Sequence, residues 1–280
     1  MSTPDELPTI DQQRMLKELN DSGYPFQHTI AEAINRAGAA WALVNTEFPV
    51  SARNRTTHID VLAWCLRRAL IVGECKRVNP AYSDWLFAKL PGDRRDIGRY
   101  VRVERLFESK DGNLLTDAMQ LESWSPHHVA LEVKTNLPGD SKGQARSLRD
   151  AITQTQAGAN ALLAMLAQNQ VLWKDERRTS VIVIPVIITT ARLYTTDANL
   201  ANADLATGRI PDGATVTRQD WLWLEDNVSP DLVHEVPSLV SAADIASIVR
   251  DRHARSIAVV HSAAIDGFLS SFAKVLFHYY

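Results

Sequence analysis

The stretch His58–Lys76, HIDVLAWCLRRALIVGECK, decides how the chain folds. It reads as two β-strands joined by a basic turn at Arg67 and Arg68, with Asp60 on the first strand and Glu74 and Lys76 on the second. Residues two apart on a strand share a face, so Glu74 and Lys76 point the same way, in line with Leu70 and Val72. A turn centred near Arg67 sets Asp60 opposite Glu74, and directly opposed side chains stand roughly 4.5–5.5 Å apart at Cβ. Two carboxylates that close in an apolar hairpin repel each other and lose hydration. A divalent cation offsets both costs, which makes the stretch a candidate metal site with a lysine beside it.

Upstream, Ile10–Leu19 reads as a short helix stopped by Asn20-Asp21-Ser22-Gly23. A second helix is expected from about Pro25 to Ala40, because Phe26, Ile30, Ala33, Ile34, Ala37 and Trp41 fall on one helical stripe. Gln27 lies at the edge of that stripe, and Glu32 on its far side. Leu43–Val50 reads as a strand and Ser51–Thr57 as a basic turn that carries Arg53 and Arg55. Downstream, residues 79–128 read as an insertion. Within it Lys89, Arg94, Arg95, Arg99, Arg102, Arg105 and Lys110 alternate with acids. That stretch is read as a solvated helix with internal ion pairs, against the alternative of an element touching a phosphate backbone.

Val129–Thr135 reads as a strand, and Gln144–Gln168 as a long helix with Gln156 at the edge of its apolar stripe. Val181–Thr190 is a β-branched run expected to form a buried central strand, broken or bulged at Pro185. Residues from about 195 form a C-terminal extension. In it Trp221–Leu224 is an edge strand or docking segment, Ser241–Arg252 a helix, Ser256–His261 a strand and Ala263–His278 a closing helix. The whole, residues 1–280, reads as one α/β domain.

With 45% hydrophobic and 22% charged residues the composition is that of an ordinary globular protein. The formal charge of -3 excludes a global basic field, so any nucleic-acid contact must come from local patches. The N-terminus lacks a signal-peptide core, and the longest apolar run, Val181–Ile188, is too short to span a membrane. Cys65 and Cys75 sit at opposite ends of their hairpin and do not suggest a disulfide, which fits a reducing cytoplasm.

Asp60 followed by Glu74-Cys75-Lys76 has the form D-x13-E-x-K and resembles the PD-(D/E)xK nuclease superfamily. This restriction-endonuclease-like group includes Mrr-type proteins and archaeal Holliday-junction resolvases. The resemblance covers residues 25–80 and, more loosely, 144–190. It rests on the order helix, strand, Asp-bearing strand, ExK strand, helix, strand. Phe26-Gln27, followed eleven residues later by Gly38, matches a spacing at which Mrr-like proteins carry Phe-Glu and then Gly, so Gln27 stands where they have an acid.

The resemblance implies a three-layer core with a central mixed sheet flanked by helices. It also implies Mg²⁺, with Mn²⁺ as a substitute, held by Asp60, Glu74 and the backbone carbonyl of Cys75. Lys76 would act on the attacking water and the phosphate, with Gln27 and Gln156 as accessory candidates. The implied activity is hydrolysis of DNA phosphodiester bonds, leaving 5′-phosphate and 3′-hydroxyl ends, in restriction or anti-phage defence. A defence-system protein partner and a symmetric homodimer for cutting both strands belong to the same expectation. The competing reading is a nuclease-like module that binds nucleic acid or assembles with a partner without cutting.

A second ExK, Glu132-Val133-Lys134, has only Asp117 as an upstream partner, in a segment that does not read as a strand. The first triad is therefore preferred. Arg53 and Arg55 enter the Asp60 strand and are the better phosphate-contact candidates. His58, two residues before Asp60, shares its face in a regular strand. No spacing calls for zinc, and no phosphate-cradling loop is present.

Overall fold

The hairpin forms with its turn where the sequence puts it. The computed structural model describes residues 9–52, 55–78, 84–89, 100–122, 127–131, 142–169, 180–210, 212–229, 236 and 254–278. Strands β2 (Arg55–Cys65) and β3 (Ala69–Lys76) pair antiparallel, from Cys65 opposite Ala69 to Val61 opposite Gly73. Leu66 and Arg67 adopt left-handed φ values of 50° and 55°, which closes the turn within three residues. Gly73 is where the two strands press closest: a Cβ there would meet the Val61 carbonyl oxygen at 3.2 Å and Val61 Cβ at 3.3 Å.

Helix α1 (Thr9–Asp21) and helix α2 (Tyr24–Arg36) precede the long strand β1 (Trp41–Ala52), which pairs antiparallel with β2. After β3 come β4 (Asp84–Lys89), β5 (Tyr100–Glu108), β6 (Leu114–Glu122) and β7 (His127–Leu131). Helix α3 (Lys142–Gln168) leads towards β8 (Ser180–Thr189). Strands β9 (Arg192–Thr196), β10 (Val216–Gln219), β11 (Trp221–Asn227) and β12 (Ala254–His261) follow, then helix α4 (Ile265–His278). The sheet runs β1-β2-β3-β8-β12-β11-β7-β4-β9-β10, with the β5–β6 hairpin joined to β8. It is mixed: β3, β8 and β12 are parallel neighbours, whereas β1–β2, β2–β3 and β11–β12 are antiparallel.

Period-two alternation sorts the core into layers. Val61, Ala63, Ala69 and Ile71 face one way, against Ile30 and Ile34 of α2 and Phe268 and Phe272 of α4. Leu62, Leu70 and Val72 face the other, against Ala159, Leu162 and Leu166 of α3. The N-terminal half of α3 covers β8, β11 and β12 through Leu148, Ala151 and Ile152. The protein is thus α/β, with a mixed central sheet and helices on both faces. A strand covered on both faces wants β-branched residues throughout, which is why Val181–Thr189 of β8 is buried without interruption.

Several expectations are corrected. Pro185 neither breaks nor bulges β8; it pairs in register with Val72. It falls at the changeover where one edge of β8 passes from β5, which pairs with residues 180–183, to β12, which pairs with residues 186–189, so a missing N–H costs no ladder bond to either. The basic stretch is not a helix in its described part. Val101 and Val103 turn inward on β5, Arg105 is paired with Asp117 across the hairpin, and docking on β8 overrides any helical tendency. Asp117 itself lies on strand β6. Trp221–Leu224 is not at an edge, because β11 lies between β12 and β7 and its tryptophans pack on Phe268 and Phe272 of α4. The helix expected at 241–252 lies outside the described residues. Among the described residues no helix is long and apolar enough to cross a membrane.

Candidate functional site

The pairing of Val61 with Gly73, carried one step further, brings Asp60 beside Glu74 where the β2–β3 ladder ends. The ladder ends there because a side chain takes the next backbone donor: the amide of Cys75 donates to Asp60 Oδ2 at 2.7 Å. That amide lies between Glu74 and Lys76, so the Asp60 carboxylate is fixed against the ExK segment itself. Gln27 of α2 lies close enough to Asp60 to favour its charged form. Beyond the segment, the Thr190 amide donates to the Lys76 carbonyl at 3.3 Å and the Val78 amide to Thr190 Oγ1 at 3.0 Å. The backbone carrying Glu74, Cys75 and Lys76 is therefore held from β2 on one side and from the end of β8 on the other.

Asp60 and Glu74 are 9% and 7% exposed, which is unusual for carboxylates. Burial raises the Asp60 pKa, partly opposed by the Cys75 amide and by Gln27. Glu74 is pushed up to about 8, first by burial, then by the nearby charge of Asp60, with Lys76 pulling the other way. Among the described residues no donor hydrogen-bonds the Glu74 carboxylate and no ion pair holds Lys76. The simple alternative, a structural ion pair between Lys76 and one of the acids, is thus not what the structure contains. Cys75, half-buried near three carboxylates, has a thiol held well above the usual range, so its side chain is a poor nucleophile.

Glu47 completes the group and was not legible in the sequence. It is half-buried on β1, and its charge raises the pKa values of Asp60, Glu74 and Cys75. The pairs Thr46–Val61 and Phe48–Ile59 set it across from Asp60. Parity counting along Leu43–Val50 misses this, because a register shift between Leu43 and Asn45 intervenes.

These donors suit a hard divalent cation. They offer carboxylate and carbonyl oxygens, with a buried glutamate that no donor among the described residues satisfies. Among the described residues no three His, Cys, Asp or Glu side chains are gathered tightly enough to enclose an ion unaided. An ion here would keep several waters, as Mg²⁺ does.

Other candidates lie elsewhere. Gln156 does not reach the site: its Nε2 donates to Asp226 on β11 at 3.0 Å. Asp226 stands four positions along β11 from Leu222, which shares a row with Val259, Ile187 and Glu74, three strands away. That is roughly 13 Å along and 14 Å across the sheet. Glu32 and His58 are exposed. Arg55 opens β2 opposite Ala52, but its side chain, like the whole of Arg53, lies outside the described residues. So do Glu132 and Lys134 of the second ExK, whereas Asp117 is spoken for by Arg105. No family model, no curated protein and no solved structure matches this chain.

Proposed function

We propose that the protein is a metal-dependent endonuclease of the PD-(D/E)xK kind, hydrolysing phosphodiester bonds of DNA. The observation that carries this reading is the 2.7 Å bond between Asp60 and the Cys75 amide, which locks one carboxylate against the strand bearing Glu74 and Lys76. The order α2-β1-β2-β3 and then, after β4 to β7, α3-β8, with β8 parallel to β3, supports it, as the same core order is expected of a restriction-endonuclease-like fold.

Asp60, Glu74 and the Cys75 carbonyl would hold Mg²⁺, or Mn²⁺ in its place. When bound, the ion would neutralise phosphate charge and make its water more acidic. The chain's own groups divide the remaining work. The Cys75 amide orients Asp60, with Gln27 beside it; among the described residues no donor satisfies Glu74, and Lys76 is in no ion pair. That ammonium would orient the attacking water and stabilise negative charge on the phosphate oxygens. A restriction or anti-phage setting, and a dimer for double-strand cutting, are parts of the same proposal.

The test is incubation of supercoiled plasmid with the protein and Mg²⁺ or Mn²⁺. Nicking or cutting by the wild type, lost in Asp60→Ala and in Lys76→Ala, is the expected result. Equal cutting by wild type and Asp60→Ala would remove the assignment. One observation favours the non-cutting module: an amide, Gln27, lies beside Asp60 where the resemblance implies an acid. That reading gives DNA binding that falls steeply with salt and no cleavage in either metal.

A further inference from the structure

We infer that Glu47 is a third acidic group of this site, delivered by β1, and that it helps hold a divalent cation by accepting hydrogen bonds from the cation's bound water. The inference rests on the metal-dependent reading above and adds a positioning residue to it. Glu47 occupies its place through a specific irregularity. From Trp41–Cys65 to Leu43–Ala63 the β1–β2 register would set Thr46 opposite Asp60. One additional residue is taken up at Val44, and beyond it Asn45 pairs with Leu62 and Phe48 with Ile59. This shift brings Glu47 opposite Asp60 instead. Bulges re-aim side chains in this way.

The backbone at Glu47 is left-handed, with φ of 52°, a conformation that residues carrying a Cβ rarely take. Such conformations persist where surrounding structure imposes them, and here paired residues on both sides do so. The side chain is half-buried, lies across the strand pair from Asp60, and its charge acts on Asp60 and Glu74. Among the described residues, three carboxylates then act with one ammonium, that of Lys76. Glu74, more than nine-tenths buried and without a hydrogen-bond donor among the described residues, marks where positive charge is missing. Because the acids are not drawn together into a closed cage, Glu47 fits a contact through water better than direct ligation.

The experiment is a calorimetric titration of the full chain with Mn²⁺ alone. It compares wild type with Glu47→Gln, which keeps length and removes charge, Glu47→Gly, which also relieves the backbone, and Glu47→Asp, which keeps the charge. Groups supporting a metal through its outer shell are worth about 10–100-fold in affinity. Glu47→Gln and Glu47→Gly should weaken Mn²⁺ binding by about that factor and Glu47→Asp should largely restore it, with unfolding midpoints of the metal-free proteins not lowered. A bulge residue with no ionic role would leave affinity unchanged in all three variants, and that result overturns the inference, as does a wild type that binds no Mn²⁺. Plasmid cleavage separates the two claims. A wild type that binds Mn²⁺ but cuts nothing, with affinity still lost in Glu47→Gln, defeats the nuclease reading and sustains Glu47. A wild type that cuts, with Mn²⁺ affinity intact in Glu47→Gln, does the reverse.

Discussion

Two glutamates of the central sheet are buried to nearly the same degree, Glu104 on β5 at 6% exposure and Glu74 on β3 at 7%. Glu104 receives both arms of the Arg255 guanidinium, at 3.0 Å each, and Arg255 also donates to the Ala254 carbonyl. Glu74 receives no hydrogen bond from the described residues and has two further carboxylates acting on it. A buried charge that serves the fold brings its counter-charge within the chain, because an uncompensated one is costly. A buried carboxyl that no donor among the described residues satisfies, beside a lysine in no ion pair among them, is what the metal-dependent reading proposed above calls for. The contrast sets a satisfied buried acid against an unsatisfied one within one sheet.

The comparison can be broken at several points. Glu104→Gln should have the largest effect, a loss of roughly 3–5 kcal/mol in denaturant unfolding, because Arg255 is left buried without its counter-charge. A loss below 1 kcal/mol would mean that the pair is not structural. Next, Asp60→Ala and Lys76→Ala should each lower plasmid cleavage by at least about a hundredfold while leaving the unfolding midpoint intact.

Third, Glu74→Gln should stabilise the metal-free protein, increasingly so as pH rises. The folded pKa, about 8, lies above the ordinary 4.5, so the native state binds the proton more tightly. Its contribution is intact below the lower value and is lost as pH rises through the upper one. Unfolding curves at pH 5 and pH 8 should differ between wild type and variant by on the order of 1–3 kcal/mol, and added Mg²⁺ should shrink the gap. A gap that widens toward low pH would show the sign to be wrong. Smallest is Asp84→Asn, which breaks the half-exposed pair with Arg192 at 2.6 and 2.9 Å. It should cost less than about 1 kcal/mol, and a larger loss would remove the distinction between exposed and buried pairs.

The hairpin was legible because alternation and a basic turn specify register locally, and register alone brings Asp60 to Glu74. Helix α3 and strand β8 were legible from a long helical stripe and an unbroken β-branched run. Glu47 was not, since a one-residue bulge reverses which positions of β1 face Asp60, and nothing in the letters marks Val44 as the place. Strand β5 was missed for a different reason. Its charges suggested a solvated helix, yet Val101-Arg102-Val103 alternates with period two, and that weaker signal was the correct one. Gln156 was placed on the right helix and the right edge, but its partner Asp226 comes from a strand seventy residues further along.

The parallel pairing of β3 with β8 has a kinetic consequence. The β2–β3 hairpin closes over a handful of residues and can form within microseconds. Its outer edge waits for a strand roughly 110 residues further along the chain, Glu74 meeting Ile187. Until that strand arrives, Ala69–Lys76 presents a long apolar rim with unpaired amides, the kind of surface on which unfinished chains adhere to one another. Recovery after dilution from denaturant should therefore fall as protein concentration rises, and the last group to find its place should be the backbone at Lys76.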